Sequence, residues 1–196
     1  MKKLDPSFYQ KPTLEVAKSL LGKTLVRRIG KQVVTGKIVE TEGYIATIDA
    51  ACHAYSGKTE RNKHMFGNPG TIYVFFTYGC HFMLNVVTEP EGIAAAVLIR
   101  AIEPLSGLDV LIARRKTQSM LNLSNGPGKL TEAFDIDRKL SGESLQSEII
   151  YIADAPELKR EQISITTRVG ITKSTELPWR FYIKDCPFVS PGKPSC

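Results

Sequence analysis

From Gly70 the chain reads GTIYVFFTYGCHFMLNVV, two apolar, aromatic-rich runs separated by a few residues that include a glycine. Runs of this length and make-up are strands, and so short a break leaves no room for a crossover, so the pair must form an antiparallel hairpin. The same reading extends along the chain. Strands are expected at Thr24 to Arg28, Gln32 to Glu42, Gly70 to Phe76, His81 to Val87 and Ala94 to Ile102, with no helix between them. Later strands are expected near Glu148 to Ile152, Ser164 to Thr167 and Arg180 to Lys184. Helices are expected over Thr13 to Leu21, where Leu14, Ala17, Leu20 and Leu21 share one side, over Ser106 to Lys116, and after Gly126-Pro127-Gly128. This pattern predicts an α+β class: a single domain, 1–196, on a mainly antiparallel sheet with flanking helices.

A chain of 196 residues can bury one full core but is short for two. No apolar run approaches the roughly 18 residues of a membrane span, and MKKLDPSFYQKP lacks a signal-peptide core, so no membrane association and a cytoplasmic location are expected. Lys and Arg outnumber Asp and Glu by 26 to 20, a net charge of +6 that favours a polyanionic partner. Cys52, Cys80, Cys186 and Cys196 show no paired spacing and read as reduced thiols. The Cys52-His53 and Cys80-His81 neighbours do not make a zinc site, because adjacent strand residues face opposite ways and the usual ligand gap is missing.

The chemistry concentrates between Val39 and Gly57, VETEGYIATIDAACHAYSG. Strand alternation puts Glu40 and Glu42 on one face and Thr41 and Gly43 on the other, so either glutamate can point into a pocket. A carboxylate among aromatic walls is costly to keep charged, and such residues tend to be functional. Tyr78 falls at the hairpin tip, where it either wedges into a base stack or folds back on the core with its hydroxyl outside. Taken singly, Arg100 reads as a surface ion-pair partner, His53 as a structural histidine and Asn85 as a strand asparagine bonded to nearby backbone.

Taken in order, VETEGY, DAACHAYSG, TERNKHMF, PGTIYVFFTYG, HFMLNVV, VLIRAIEPL, NGPGKL and RFYI resemble the alkyladenine, or 3-methyladenine, DNA glycosylase family, and a bacterial member in particular. The resemblance runs from about Gly22 to Ser190. It implies a curved sheet with a protruding hairpin that enters the DNA minor groove, and hydrolysis of the bond between a damaged purine and deoxyribose. The substrates it implies are 3-methyladenine, 7-methylguanine, hypoxanthine and etheno-adenine, turned out of the duplex into a pocket. By resemblance Glu42 is the base that activates water, Arg100 helps hold that water, and Tyr78 fills the vacated space. Tyr44, His53 and Phe75 match the walls of the base pocket, with Phe75 standing where the family can carry tyrosine. Asn85 matches the residue that crowds the amino group of guanine.

Arg61 and Asn62, in the loop after the pocket motif, and Gly126, Gly128 and Lys129, at a helix start, are expected to meet the DNA backbone. GPGKL lacks the spacing of a nucleotide-binding phosphate loop. No metal or organic cofactor is implied, and with no lysine between Glu42 and His53 a glycosylase without strand cleavage is expected. The expected partner is double-stranded DNA carrying damaged purines, bound by a monomer. Two other classes fit the residues alone: a binder of damaged nucleic acid without chemistry, and a hydrolase of free nucleosides that needs no wedge and no basic face.

Overall fold

A computed structural model describes residues 1–192, so Cys196 lies outside the described residues. Eight strands, β1 (Thr24–Ile29), β2 (Gln32–Ile45), β3 (Ile72–Thr77), β4 (His81–Val87), β5 (Ala95–Ser106), β6 (Ile150–Ala153), β7 (Ile163–Thr166) and β8 (Arg180–Ile183), are joined by α1 (Thr13–Ser19), α2 (Leu108–Arg115) and α3 (Pro127–Ala133). Each strand pairing is antiparallel, as the uninterrupted run of strands requires. The order β3-β4-β5-β2-β1-β6 makes one curled sheet, and β8, carrying β7, joins β2. The long β2 is therefore the hub, meeting β5 along one edge and β1 and then β8 along the other.

Expected elements and observed ones agree closely except around Ser106. The expected helix start there is still β5, because Ser106 pairs with Thr35 of β2. Gly107, in the left-handed region at φ 72°, then turns the chain into α2.

Period-two alternation separates two faces. On β3, Ile72 and Val74 join the main core with Leu84, Val86, Val97 and Ile99, covered by Val16 and Ala17 of α1, by Leu20 just after it, and by Leu130 and Ala133 of α3. Tyr73 and Phe75 point the other way, toward a smaller cluster with Cys52, Ala54, Met65 and Ala96. Thr41 donates its hydroxyl to the Ala17 carbonyl of α1 (2.7 Å), which turns Glu40 and Glu42 to the second face, both fully buried.

Two bulges adjust that second face. Ile38 pairs with Ile102, Glu40 with Ala101 and Thr41 with Ile99, so Val39 is the extra residue on β2 and Arg100 the extra residue on β5. A bulge re-aims the side chain it carries, and here it turns Arg100 toward the two glutamates.

At the hairpin tip Tyr78 (φ 53°) and Gly79 (φ 69°) both occupy the left-handed region that tight hairpin turns demand. Tyr78 is 75% exposed and does not fold back onto the core.

Gly36 is where β2 admits the helical layer, since a Cβ there would lie 2.2 Å from Ile102 Cγ2 and 3.1 Å from Phe134 Cζ. Gly36→Val should therefore destabilise the protein by roughly 1–3 kcal/mol through overpacking, read as a lower urea midpoint at unchanged slope.

Candidate active site

The second face of the sheet floors a cavity of about 310 Å³, within the range of small-molecule sites. Tyr44 of β2, Tyr73 and Phe75 of β3, Asn85 of β4 and Arg100 of β5 contribute, with His53 from the turn after β2 and Val169, Gly170 and Ile171 from the segment before β8. Tyr78 stands at the rim, its hydroxyl 3.5 Å from the Gly170 carbonyl across the opening.

Behind this cavity lie the two glutamates, and their surroundings differ. Glu40 receives four donors: Arg100 Nε (3.1 Å), Arg180 Nε (2.6 Å), Ser190 Oγ (2.9 Å) and the Ser190 N–H (2.7 Å). Three of these donors converge on Oε1 and one reaches Oε2, and of the donor residues only Arg100 lines the cavity. Glu42 receives three, from the Tyr44 hydroxyl (2.8 Å), Arg100 Nη1 (3.2 Å) and the Val169 N–H (2.8 Å). All three donor residues, Tyr44, Arg100 and Val169, themselves line the cavity.

Burial, and then the Glu42 charge, push the Tyr44 hydroxyl well above its ordinary value, so it remains a donor. Burial pulls Arg100 down, but Glu42 and Glu40 outweigh it and the net shift is upward. Arg100 is thus no surface ion-pair partner but a buried cation shared by two acids.

The aromatic wall is built by contact between rings. His53 and Phe75 lie 4.1 Å apart, edge to face, and Tyr73 and Phe75 5.5 Å apart. The Tyr73 hydroxyl sits 3.3 Å from His53 Nδ1, so a hydroxyl is present on this wall although Phe75 has none. Asn85 donates its amide to the carbonyls of Tyr73 (3.1 Å) and Met83 (3.3 Å), which leaves its oxygen as the atom for the cavity.

Residues 7–187 match the family described as Methylpurine-DNA glycosylase (MPG). The chain belongs to that family. A protein of Chlorobaculum parvum, provisionally named a 3-methyladenine DNA glycosylase, is 52% identical over 191 residues, covering 97% of this chain and 91% of that one. Proteins of Chlorobium luteolum (50% over 196 residues, 100% of both) and Carboxydothermus hydrogenoformans (48% over 188 residues, 95% and 98%) carry the same provisional name. Family membership makes this chain a DNA glycosylase and so an enzyme of DNA repair.

Asn62, Gly126, Gly128 and Lys129, expected at the DNA backbone, each make contacts within the glycosylase. Asn62 is buried, and its amide donates to the carbonyls of His53 (3.0 Å) and Gly57 (2.9 Å) while its oxygen accepts from the Thr59 N–H (2.6 Å). It shapes the loop instead of facing phosphate. Gly126 and Gly128 are also buried; a Cβ at Gly128 would lie 2.7 Å from the His81 ring, so this glycine serves close packing of the helix start on the hairpin. Lys129 folds back on Asn125 Oδ1 (2.8 Å) and Asn122 Oδ1 (3.2 Å). Arg61 is exposed and donates to the Phe76 carbonyl (3.0 Å), near the tip of the hairpin. Among the described residues no cluster of three or more His, Cys, Asp or Glu could hold a metal, and no helix is long and apolar enough to cross a membrane.

Sequence reasoning missed the segment from Arg168 to Ile171 and the role of Asp49. Asp49 lies inside the motif already singled out, but RVGI follows a short strand with no periodic signal of its own. Its position over the cavity is a tertiary fact.

Two expectations follow. Glu40→Gln should lower stability by roughly 3 kcal/mol in urea unfolding, because it leaves Arg100 and Arg180 facing a neutral group in the interior. Burial, then Arg61, hold His53 below its ordinary value of 6.5. The unfolded chain takes up this proton near pH 6.5 and the folded one only at lower pH, so stability falls as pH drops through that window. His53→Phe should flatten this part of the stability profile in pH-dependent urea titrations.

Proposed function

We propose that this glycosylase turns alkylated or deaminated purines out of double-stranded DNA and hydrolyses their N-glycosidic bonds with a water activated by Glu42. The observation that carries the reading is a buried carboxylate whose three donor residues, Tyr44, Arg100 and Val169, all line one aromatic cavity. The provisional names of the relatives support 3-methyladenine as one substrate.

In this chemistry the purine leaves with the electron pair of the bond, water adds to the sugar C1′, and Glu42 takes the proton. The carboxylate also offsets positive charge that develops on the sugar, as one carboxylate does in glycoside hydrolysis. Arg100 donates to the same Glu42 oxygen as Tyr44 and places a cation beside it. Glu40, held by Arg180 and Ser190 away from the cavity lining, is the supporting residue of the pair.

Extruding a nucleotide costs a few kcal/mol. Stacking of the flipped base on Tyr44, His53 and Phe75 contributes roughly 1–3 kcal/mol per base and favours electron-poor purines. Asn85, tied to two carbonyls, cannot swing aside for the amino group of guanine, so normal guanine meets a clash. Tyr78, exposed at the tip and level with the cavity mouth, is the wedge that fills the gap in the stack. The net positive charge and Arg61 favour the phosphate backbone.

Glu42→Gln keeps the shape and removes the base. On a duplex carrying one hypoxanthine, with both proteins at equal DNA occupancy, single-turnover release should fall by roughly 10²–10⁴-fold. Equal release by the two proteins would sink the assignment of Glu42. Binding without release by the native protein, on this duplex and on methylated DNA alike, would leave a binding module.

A further inference from the structure

Among the described residues Arg168 is the largest wholly buried side chain, and the chemistry above does not use it. Its guanidinium grips Asp49 with two prongs, Nη1 to Oδ2 (2.5 Å) and Nη2 to Oδ1 (2.8 Å), and donates to the carbonyls of Gly43 (3.0 Å) and Ser174 (3.3 Å). It also lies 4.6 Å from the centre of the Tyr44 ring and 5.2 Å from that of Trp179. Tyr44 lines the cavity and Arg168 does not, so the cation backs the ring from behind.

Three cavity walls meet at this ion pair. Gly43 precedes Tyr44 on β2; Asp49 accepts from the Ala51 N–H (3.0 Å) and heads the turn that carries His53; and Val169, next in the chain to Arg168, donates its N–H to Glu42 Oε1. A buried ion pair adds little net stability over well-packed apolar side chains, whereas a bidentate fork holds its partners in fixed geometry.

The geometry points to Arg168 and Asp49 as a positioning pair for base release, holding the Tyr44 ring in its plane and bringing the Val169 N–H onto Glu42. This rests on the proposed chemistry at Glu42. Without the pair, the cavity wall and the carboxylate lose their mutual register while the DNA-facing surface, which Arg168 does not reach, keeps its shape.

The test compares full-length Arg168→Met, Arg168→Lys and Glu42→Gln on the hypoxanthine duplex, reading single-turnover release at saturating protein, duplex affinity and amide hydrogen exchange. Arg168→Met should slow release on the order of 10²-fold with affinity unchanged, as expected for a misplacement near 1 Å. Exchange at the Val169 amide should quicken while the amides of Leu84 and Ile99 in the core stay protected. Arg168→Lys, which keeps the charge but not the fork, should remain impaired. Because Arg168→Met strands the Asp49 charge, Arg168→Met/Asp49→Asn removes both charges and should show the same loss where the single variant does not fold. Native release by the Arg168 variants, with Glu42→Gln inert, overturns the pair's role and leaves the chemistry standing. Release, affinity and core protection falling together overturn it too, since that marks a purely structural pair. Native release by Glu42→Gln overturns the chemistry and the pair's role with it.

Discussion

Arg100 interrupts the pairing of the two longest strands and, by doing so, reaches two buried carboxylates at once. The second face of the sheet depends on that contact. Glu40 and Glu42 without a cation would be unfavourable in an interior that excludes water, and the strand that bears them could not be buried. The arrangement continues outward: Arg180 shares Glu40, and Arg168 pairs with Asp49 beside Tyr44. Three acids thus meet three guanidinium groups, and the interior around the cavity is electrically balanced.

The two faces of the sheet divide the work of the protein. One packs aliphatic side chains against the helices and supplies the apolar burial that drives folding. The other is small in apolar area and rich in paired charge and aromatic edges. Ion pairs of this kind fix positions more than they stabilise, so the stability of the first face permits the second to hold a cavity. The bulges at Val39 and Arg100 offset each other in register, which confines the distortion to the stretch that carries the glutamates.

Much of the sheet was legible in the sequence because its signals are local. The alternation in TIYVFF and HFMLNV, with Tyr78-Gly79 between them, defines a hairpin by residue type and turn chemistry alone. Glu40 and Glu42 were legible as a pair sharing a face, but not as unequal partners, since their difference lies in Ser190 and Arg180 from the far end of the chain. Arg100 reads as a surface residue because nothing in VLIRAIEP displays a bulge. Asn62 and Gly128 read as loop residues open to phosphate, yet Asn62 ties the local backbone and Gly128 makes room for the His81 ring.

The sequence by itself determined the strand order in time, the antiparallel pairing, the apolar faces and, through its ordered motifs, the family, because each of these follows from residue type within a few positions. Only the tertiary structure decided which glutamate is held by the cavity walls, that Asp49 and Arg168 meet, and that the segment from Val169 to Ile171 closes one side of the cavity. Those outcomes depend on groups separated by a hundred or more residues, whose approach is set by sheet register and packing and leaves no periodic trace in the chain.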